Sequence, residues 1–295
     1  MAEQFGAPAG ASFKRQSQAK EIWRRFKKSK GAFFGLVLLI VMLAVIACAD
    51  FIAPYRLATK QNLAKKLAPP SMEHIFGCDS YGRDIFARVL HGGRTSLSIA
   101  VVATITSCLF GSILGAVAGY FGKKVDSVIM RALDIFMSVP DLLFTMAVVV
   151  ALGANFINLL LALTLAYFTN YVRLVRSQVL NLSEQEYVEA AKAGGAGSVR
   201  IIASHIIPNA MGVIIVNTTL NVSKIILYES TLSFLGLGMP PPAPEWGLML
   251  MEARAFLRTS PHLLFFPAAA IVLSACSVNL IGDGLRDALD PHLKS

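Results

Sequence analysis

The sequence is poor in charged residues, which make up only 15% of its 295 positions, whereas hydrophobic residues make up 55%. A water-soluble domain usually carries about a quarter charged residues. The mean hydropathy of +0.60 therefore excludes an ordinary soluble domain and predicts an all-α membrane protein with several spans. The net charge of +9 is spread over loops and the amino-terminal arm, which favours anionic lipid headgroups over nucleic acid as the partner.

The sequence also lacks the common catalytic and metal-binding motifs. It has no G-x-x-x-x-G-K-[ST] loop to cradle a nucleotide phosphate, and no H-E-x-x-H zinc motif. Its cysteines do not have the paired spacing of a metal or redox site. They are Cys48, Cys78, Cys108 and Cys276. We therefore expect no catalytic residue, no metal and no cofactor in this chain.

The apolar stretches predict six transmembrane helices with both termini in the cytoplasm. Each stretch approaches the length that crosses about 30 Å of hydrocarbon as a helix. Residues 1–30 form a basic arm, and an excess of lysine and arginine beside a first span predicts a cytoplasmic amino terminus. Basic residues in the loop 50–94 run against this rule, but the arm is denser in charge. The predicted spans are residues 31–49, 95–122, 135–152, 156–172, 209–235 and 262–281.

The uncharged run 142–171 allows two topologies. As one tilted helix, it would place the polar segment 183–208 outside the cell. As the end of one span and the whole of another, it leaves that segment in the cytoplasm. Gly153, Asn155 and Asn158 indicate a tight polar hairpin inside the run, so we predict two spans.

The polar segment 183–208 lies between two apolar spans and cannot itself cross a bilayer. Ser183 and Glu186 have the spacing of a capping box, which predicts a short helix from Glu184. Glycines that tolerate a sharp turn should end this helix. They are Gly194, Gly195 and Gly197. A second helical piece, 198–205, should follow and stop at the next proline, which gives a helix, a glycine-rich elbow and a helix.

Glycines at every fourth position of the second span predict a helix-packing surface. Gly111, Gly115 and Gly119 lie on one helical face, where another backbone can approach closely.

Two ionisable residues, Lys224 and Glu229, fall inside the fifth predicted span. Ionisable groups there indicate a transport pathway or a charged partner. Their spacing of five is poor for pairing on one helix. Snorkelling toward the interfaces and pairing with a neighbouring helix are equally open alternatives.

Part of the polar segment resembles a known family signature. Glu189-Ala190-Ala191, three residues, Gly195, nine residues and His205-Ile206-Ile207-Pro208 are similar to the "EAA" motif of the membrane subunits of bacterial ABC importers, E-A-A-x(3)-G-x(9)-I-x-L-P. His205 stands where that motif has isoleucine, and Ile207 stands where it has leucine. Both changes leave the predicted helix, elbow and helix intact.

Further motifs narrow the resemblance to the second permease subunit of the dipeptide, oligopeptide and nickel importers, the oligopeptide C type. Together these motifs extend the likeness from about residue 23 to the carboxyl terminus. Cys78 stands where that family usually has threonine. The motifs are Gly77 to Asp84 with Arg88, Phe234 to Gly238, Pro244 to Gly247, and Gly282 to Asp287.

The resemblance implies a type I ABC importer transmembrane fold in the bacterial inner membrane. It implies a homologous permease beside this chain, two ATPase subunits that bind ATP-Mg, and an extracytoplasmic binding protein that delivers the substrate. The polar segment would be the coupling loop that contacts an ATPase subunit. Its coupling residues would be Glu189, Ala190, Ala191, Ala193, Gly194, Gly195 and Gly197.

On this interpretation the chain divides into an arm (1–30), a first span with an extracytoplasmic loop (31–94), a type-1 transmembrane domain (95–283) and a cytoplasmic tail (284–295). The expected function is to form half of a pathway for short peptides, with ATP hydrolysis left to the partner subunits. Nickel chelates, glutathione or another small solute are alternative substrates. An ion-driven secondary transporter, or a membrane enzyme or scaffold, would be alternative classes.

Overall fold

Helices dominate residues 18–289, the part of the chain that the computed structural model describes. Apart from one isolated β-bridge between Cys78 and Asp84, this part contains only helices, turns and irregular loops. The helices are α1 (Gln18–Lys28), α2 (Lys30–Ala47), α3 (Ala49–Ile52), α4 (Tyr55–Thr59), α5 (Ile85–Phe121), α6 (Lys123–Met137), α7 (Asp141–Leu152), α8 (Phe156–Ser183), α9 (Glu186–Ala193), α10 (Ser198–Ile201), α11 (Ile207–Phe234), α12 (Trp246–Ala253) and α13 (His262–Leu289).

Within residues 18–289, five helices are long and apolar enough to cross a membrane. They are α2, α5, α8, the continuous helix Ser198–Phe234 and α13. The pair α6 and α7 becomes a sixth span if it is counted as one element, although its two halves are bent by 81°. The prediction of an all-α membrane protein is therefore confirmed, with five candidate spans, or the predicted six if the bent pair is one span.

Several predicted span boundaries are wrong, because two helices continue beyond the apolar core and one predicted span is broken. Helix α5 begins at Ile85, ten positions before the predicted start, because the Asp84 side chain caps it by accepting from the backbone N–H of Ala87 at 2.8 Å. The predicted span 135–152 is broken between Met137 and Asp141, where Pro140 has no N–H to extend α6 and instead precedes the first residue of α7. Helix α13 extends to Leu289, so part of the predicted tail is helical. Residues 1–17 of the arm and 290–295 of the tail lie outside the described range.

The helices α5 and α8 contact each other along the predicted glycine surface. A Cβ atom at Gly111 would lie 2.6 Å from the carbonyl oxygen of Phe168, and one at Gly115 would lie 2.6 Å from that of Val172. The same register places Gly119 against Arg176, where a Cβ would be 2.9 Å from the carbonyl oxygen. Since the residue numbers rise together on both helices, α5 and α8 run parallel. Their backbones are close enough that only glycine fits at these contacts.

One end of the bundle carries a folded cap, made of residues 48–84 and 235–261 with the start of α5. The Trp246 indole packs over Gly92 and Gly93, and its Nε1–H donates to the carbonyl of Val89 at 2.8 Å. Glu245 caps α12 by accepting from the backbone N–H groups of Gly247 and Leu248. Helix α12 lies inside a segment that the sequence predicts as a loop.

A buried network of four charges joins the two halves of the cap. The carboxylate of Asp79 accepts from Arg83 Nε and from Arg88 Nη1, both at 2.6 Å. Glu252 on α12 lies 2.7 Å from Arg83 Nη2 and 3.0 Å from Arg88 Nη2. Because both guanidinium groups are at most 2% exposed, each needs these two carboxylates to balance its buried positive charge. The family motifs around Gly77 and Trp246 are therefore two sides of one packing unit.

Replacing Gly115 with leucine should separate α5 from α8. The added side chain has no space against the Val172 carbonyl, so we expect a loss of stability of about 1–3 kcal/mol, the usual cost of overpacking. The melting midpoint of the purified full chain in detergent measures this effect. Ile113→Phe enlarges an exposed position on the same helix and should leave the midpoint unchanged. Equal midpoints for the two variants would contradict the close contact.

Replacing Asp79 with asparagine should unfold the cap. The change leaves two buried guanidinium groups with Glu252 alone, and breaking a buried ion pair costs about 3–5 kcal/mol. Limited proteolysis in intact membranes should then cut the cap segments of the variant but not those of the wild type. Asp50→Asn removes the exposed partner of Arg94 and serves as the matched control, with little expected change. Protection of the Asp79 variant would contradict the assigned role.

Candidate functional site

The polar elbow, defined here as residues 184–197, joins α8 to the helix Ser198–Phe234 at the end of the bundle opposite the cap. The predicted capping box is wrong. Ser183 is the last residue of α8, and its hydroxyl donates back to the Leu180 carbonyl at 2.9 Å. Helix α9 begins two residues after the predicted start, at Glu186, with Gln185 as its cap. The side chain of Ser183 is thus used by the helix that it ends.

The turn after α9 depends on one glycine. Gly195 has a φ of +79°, in the left-handed region that favours glycine. Its N–H donates to the Lys192 carbonyl at 3.0 Å, and the N–H of Ala196 donates to the Ala191 carbonyl at 3.1 Å. These two bonds form a Schellman motif, which satisfies the last carbonyls of the helix. The E-A-A-x(3)-G spacing therefore corresponds to a helix end with glycine at its left-handed position.

The other two glycines are not required by the backbone of this chain. Gly197 is extended, at φ −69° and ψ 154°, and a Cβ there would meet nothing within 4 Å. At Gly194 a Cβ would be in ordinary contact, no closer than 3.4 Å. Both residues are exposed. Their small size leaves free space on the outer surface of the elbow.

A small apolar cluster holds the elbow against the bundle. Val188 of α9 and Ile201 of α10 are at most 1% exposed. They pack with Val175 and Val179 of α8 and with Ala116 of α5, which are also buried. Ala191 and Ala196, joined by the Schellman bond, lie at the edge of this cluster. The elbow is therefore seated on the α5–α8 pair.

Most of the predicted coupling residues lie on the opposite, exposed side. Ala191 is half-buried, and the other predicted positions are exposed. Tyr187 is 40% exposed and Val199 is 79% exposed, so apolar side chains are also displayed to solvent here. The exposed predicted residues are Glu189, Ala190, Ala193, Gly194, Gly195 and Gly197. This surface combines small, apolar and acidic groups that nothing covers within the described residues.

The sequence analysis predicted that the helix after the elbow stops at Pro208. This prediction is wrong, because the helix continues past Pro208 into α11. Residues Ile202–Ile206 form a π-helical turn, in which the N–H of Ile207 donates to the carbonyl of Ile202. A wider turn here accommodates the proline, which has no N–H and crowds the preceding turn. His205 lies within this π turn and is half-buried.

The two ionisable residues of the fifth span have different surroundings. Glu229 is fully buried and lies beside Glu245, the capping residue of α12, and its Oε2 accepts from the Ser230 hydroxyl at 3.4 Å. Burial raises the pKa of Glu245 above its ordinary value. Lys224, one and a half turns away, is exposed and has no ion-pair partner within residues 18–289. The two residues do not share one site.

Residues that the sequence analysis did not select surround this part of α11. Tyr228 Oη lies 3.3 Å from Thr145 Oγ1 on α7, and its ring meets that of Tyr167 edge-on at 5.6 Å. Asp141, one turn before Thr145, is exposed, and its backbone carbonyl accepts from the Thr145 hydroxyl at 2.6 Å. The only sequence signal for Asp141 is a carboxylate directly after Pro140, at the edge of a long apolar run.

Comparisons with known proteins agree with this architecture. Residues 111–295 match the family described as binding-protein-dependent transport system inner membrane component, and residues 17–70 match the N-terminal TM domain of oligopeptide transport permease C. The chain is 41% identical to a dipeptide transport system permease protein DppC of Alkalihalophilus pseudofirmus, over 94% of this chain and 90% of that protein. It is 39% identical to the oligopeptide transport system permease protein OppC of Bacillus subtilis, over 100% and 97%.

Solved structures agree on the fold. A chain of the inward-facing MetNI methionine ABC transporter superposes with a TM-score of 0.59 at 17% identity, covering 70% of this chain and 98% of that one. The predicted type I ABC importer transmembrane fold is thereby confirmed. The chain belongs to the family of binding-protein-dependent transport system inner membrane components, the multi-pass membrane permeases of bacterial ABC transporters.

Proposed function

We propose that this chain is one permease subunit of an ATP-driven importer and forms half of a pathway for short peptides. The observation that carries the proposal is the elbow, whose backbone is fixed by Gly195 and whose outer face is small, apolar and uncovered. The relatives of this chain that are named DppC and OppC are dipeptide and oligopeptide permeases, which supports short peptides as the substrate class.

In the proposed complex the elbow binds a separate ATPase subunit. The sequence has no phosphate-binding loop, so ATP and Mg²⁺ would be bound by the partners and not by this chain. Ala190, Ala193, Gly194 and Gly197 present little side chain, which lets a partner surface approach the backbone of the elbow. Glu189 is exposed and has no ion pair within the described residues, so it is free to meet a basic group on the partner.

A second, homologous permease would complete the pathway, and a binding protein would deliver the peptide at the cap. Closure of two ATPase subunits on ATP would move the elbows and shift the spans between inward and outward openings. The division proposed from the sequence assigns residues 31–94 to a first span and outer loop, residues 95–283 to the transmembrane domain, and both termini to the cytoplasm.

The orientation predicts opposite accessibility for two exposed positions. Met72→Cys should react with a membrane-impermeant maleimide in intact cells, because Met72 is fully exposed in the cap, which the proposed orientation puts outside. Val199→Cys beside the elbow should react only after the membrane is permeabilised.

Cys48, Cys108 and Cys276 are replaced by alanine in both variants, whereas Cys78 can stay. It is buried, and desolvation raises the pKa of its thiol to about 11, so it remains protonated at pH 7. The reverse labelling pattern would refute the orientation.

The coupling role predicts that the conformation of Gly195 matters more than its size. Valine is strained at positive φ by about 1–2 kcal/mol, whereas asparagine visits this region readily. In proteoliposomes holding the full transporter, Gly195→Val should lower peptide uptake and substrate-stimulated ATP hydrolysis by roughly tenfold, which corresponds to about that energy. Gly195→Asn should retain most of both activities. Normal uptake and normal ATPase association in the valine variant would remove the support for the coupling role.

A further inference from the structure

Helix α11 carries a polar stripe, defined here as five residues on one face. Successive spacings of four, three, four and three positions keep them within one side of a helix. They are Asn217, Asn221, Lys224, Tyr228 and Thr231. Polar and charged groups facing lipid at this depth are costly, so such a face lies against protein or water. The stripe therefore requires a polar environment inside the membrane.

Packing within this chain provides only part of that environment, because Tyr228 Oη lies 3.3 Å from Thr145 Oγ1 and Asn221 lies beside Tyr171. Asn217 Nδ2 donates to the Val213 carbonyl of its own helix, and Thr231 Oγ1 donates to that of Leu227. Lys224 lies between them, is exposed, and forms no ion pair within residues 18–289. The centre of the stripe thus presents an unpaired ammonium group to a space outside the folded chain.

Asp141 presents the opposite charge from the broken span. It begins α7 directly after the 81° bend between α6 and α7, and it is exposed without an ion pair in the same described range. Broken helices within a membrane commonly form substrate sites, because the break frees polar groups at membrane depth. Thr145, one turn after Asp141 on α7, lies 3.3 Å from Tyr228 Oη, so Asp141 lies on the side of α7 that meets the aromatic part of the stripe.

The topology places Asp141 and Lys224 at the same depth. Helix α8 runs toward the elbow, and α11 runs away from it. Helix α7 is joined to α8 by the tight hairpin at Gly153, so α7 runs opposite to α8 and in the same direction as α11. Thr145 on α7 meets Tyr228 on α11, and one turn back from this contact lie Asp141 and Lys224. Lys224 is about 15 Å from the end of α11 at the cap, well inside a hydrocarbon layer of about 30 Å.

We propose that Lys224 and Asp141 form a transit site that pairs with the two charged ends of a short zwitterionic peptide, the carboxylate with Lys224 and the ammonium with Asp141. This inference rests on the proposed function and adds the part of the substrate that the pathway recognises. Opposite unpaired charges at one depth match a ligand with one charge of each sign, and the tyrosine pair one turn away offers hydroxyl groups and ring faces to the peptide. Glu229, which is buried beside Glu245, is not part of this site.

Blocked peptides separate the two charges in a transport experiment. The assay measures initial uptake into proteoliposomes that hold the complete transporter, with saturating loaded binding protein. Lys224→Met should slow the uptake of dialanine and N-acetyl-dialanine, which both carry the carboxylate, by roughly 10- to 100-fold, the effect of losing one charged hydrogen bond. It should not slow the uptake of dialanine amide, which lacks the carboxylate, relative to wild type. Asp141→Asn should slow dialanine and its amide but not the N-acetyl peptide. Lys124→Met neutralises an exposed lysine outside the stripe and should not change any rate.

Other results would overturn the site. Unchanged uptake of dialanine in both variants would mean that neither charge meets the peptide. Failure of the variants to assemble with the second permease would show that the charges pair across the subunit interface. Equal slowing of free and blocked peptides, with recovery in the exchanged variant Asp141→Lys with Lys224→Asp, would show that the two residues pair with each other.

A labelling experiment tests the site without transport. In the assembled complex, with exposed native cysteines replaced, Lys224→Cys and Asp141→Cys should react with a hydrophilic thiosulfonate and be protected by dialanine with its binding protein. Ile215→Cys, exposed on the opposite and apolar side of α11, should not react, because we expect this side to face lipid. If the wild type moves no peptide, the proposed function fails, whereas unreactive cysteines with normal peptide uptake would overturn the transit site alone.

Discussion

The close contact between α5 and α8 is the constraint on which the functional end of the molecule depends. Three glycines let the two backbones meet in a constant register over about 12 Å of helix. This contact also positions Val175, Val179 and Ala116, the residues on which the elbow is seated. A side chain between the helices would therefore move the elbow as well as weaken the bundle. The same register brings Arg176 of α8 against Asp126 at the start of α6.

The charged residues of the cap and those along the bundle differ in whether the fold pairs them. In the cap, buried guanidinium groups are matched by Asp79 and Glu252, so the charges there stabilise structure. Along the bundle, Asp141 and Lys224 are exposed and unmatched within the described chain. A charge that the fold does not pair is available for a ligand or a partner. This difference separates Lys224 from Glu229, which the sequence alone could only treat together.

The sequence predicted the number of spans, the elbow and the glycine contact because each leaves a periodic or compositional signal. Gly195 could be placed because a left-handed turn favours glycine strongly. The ends of α5 and α13 could not, since caps and helix extensions at a membrane surface depend on side-chain contacts such as Asp84 with Ala87. Helix α12 and Asp141 were missed for a related reason. Their roles depend on distant residues, Ser96 and Tyr228, that no local pattern connects to them.

The elbow and the proposed transit site are connected by two helices. Helix α8 is unbroken from Tyr167 to Ser183, and α11 is unbroken from Ile207 to Lys224, so each extends for about 25 Å between the elbow and the site. The π turn at Ile202–Ile206 and Pro208 lie between the elbow and α11, whereas α8 meets the elbow directly. Helix α11 therefore has a point of bending that α8 lacks. A push on the elbow would change the angle between the helices that carry Tyr167 and Tyr228, and with it the space between Asp141 and Lys224.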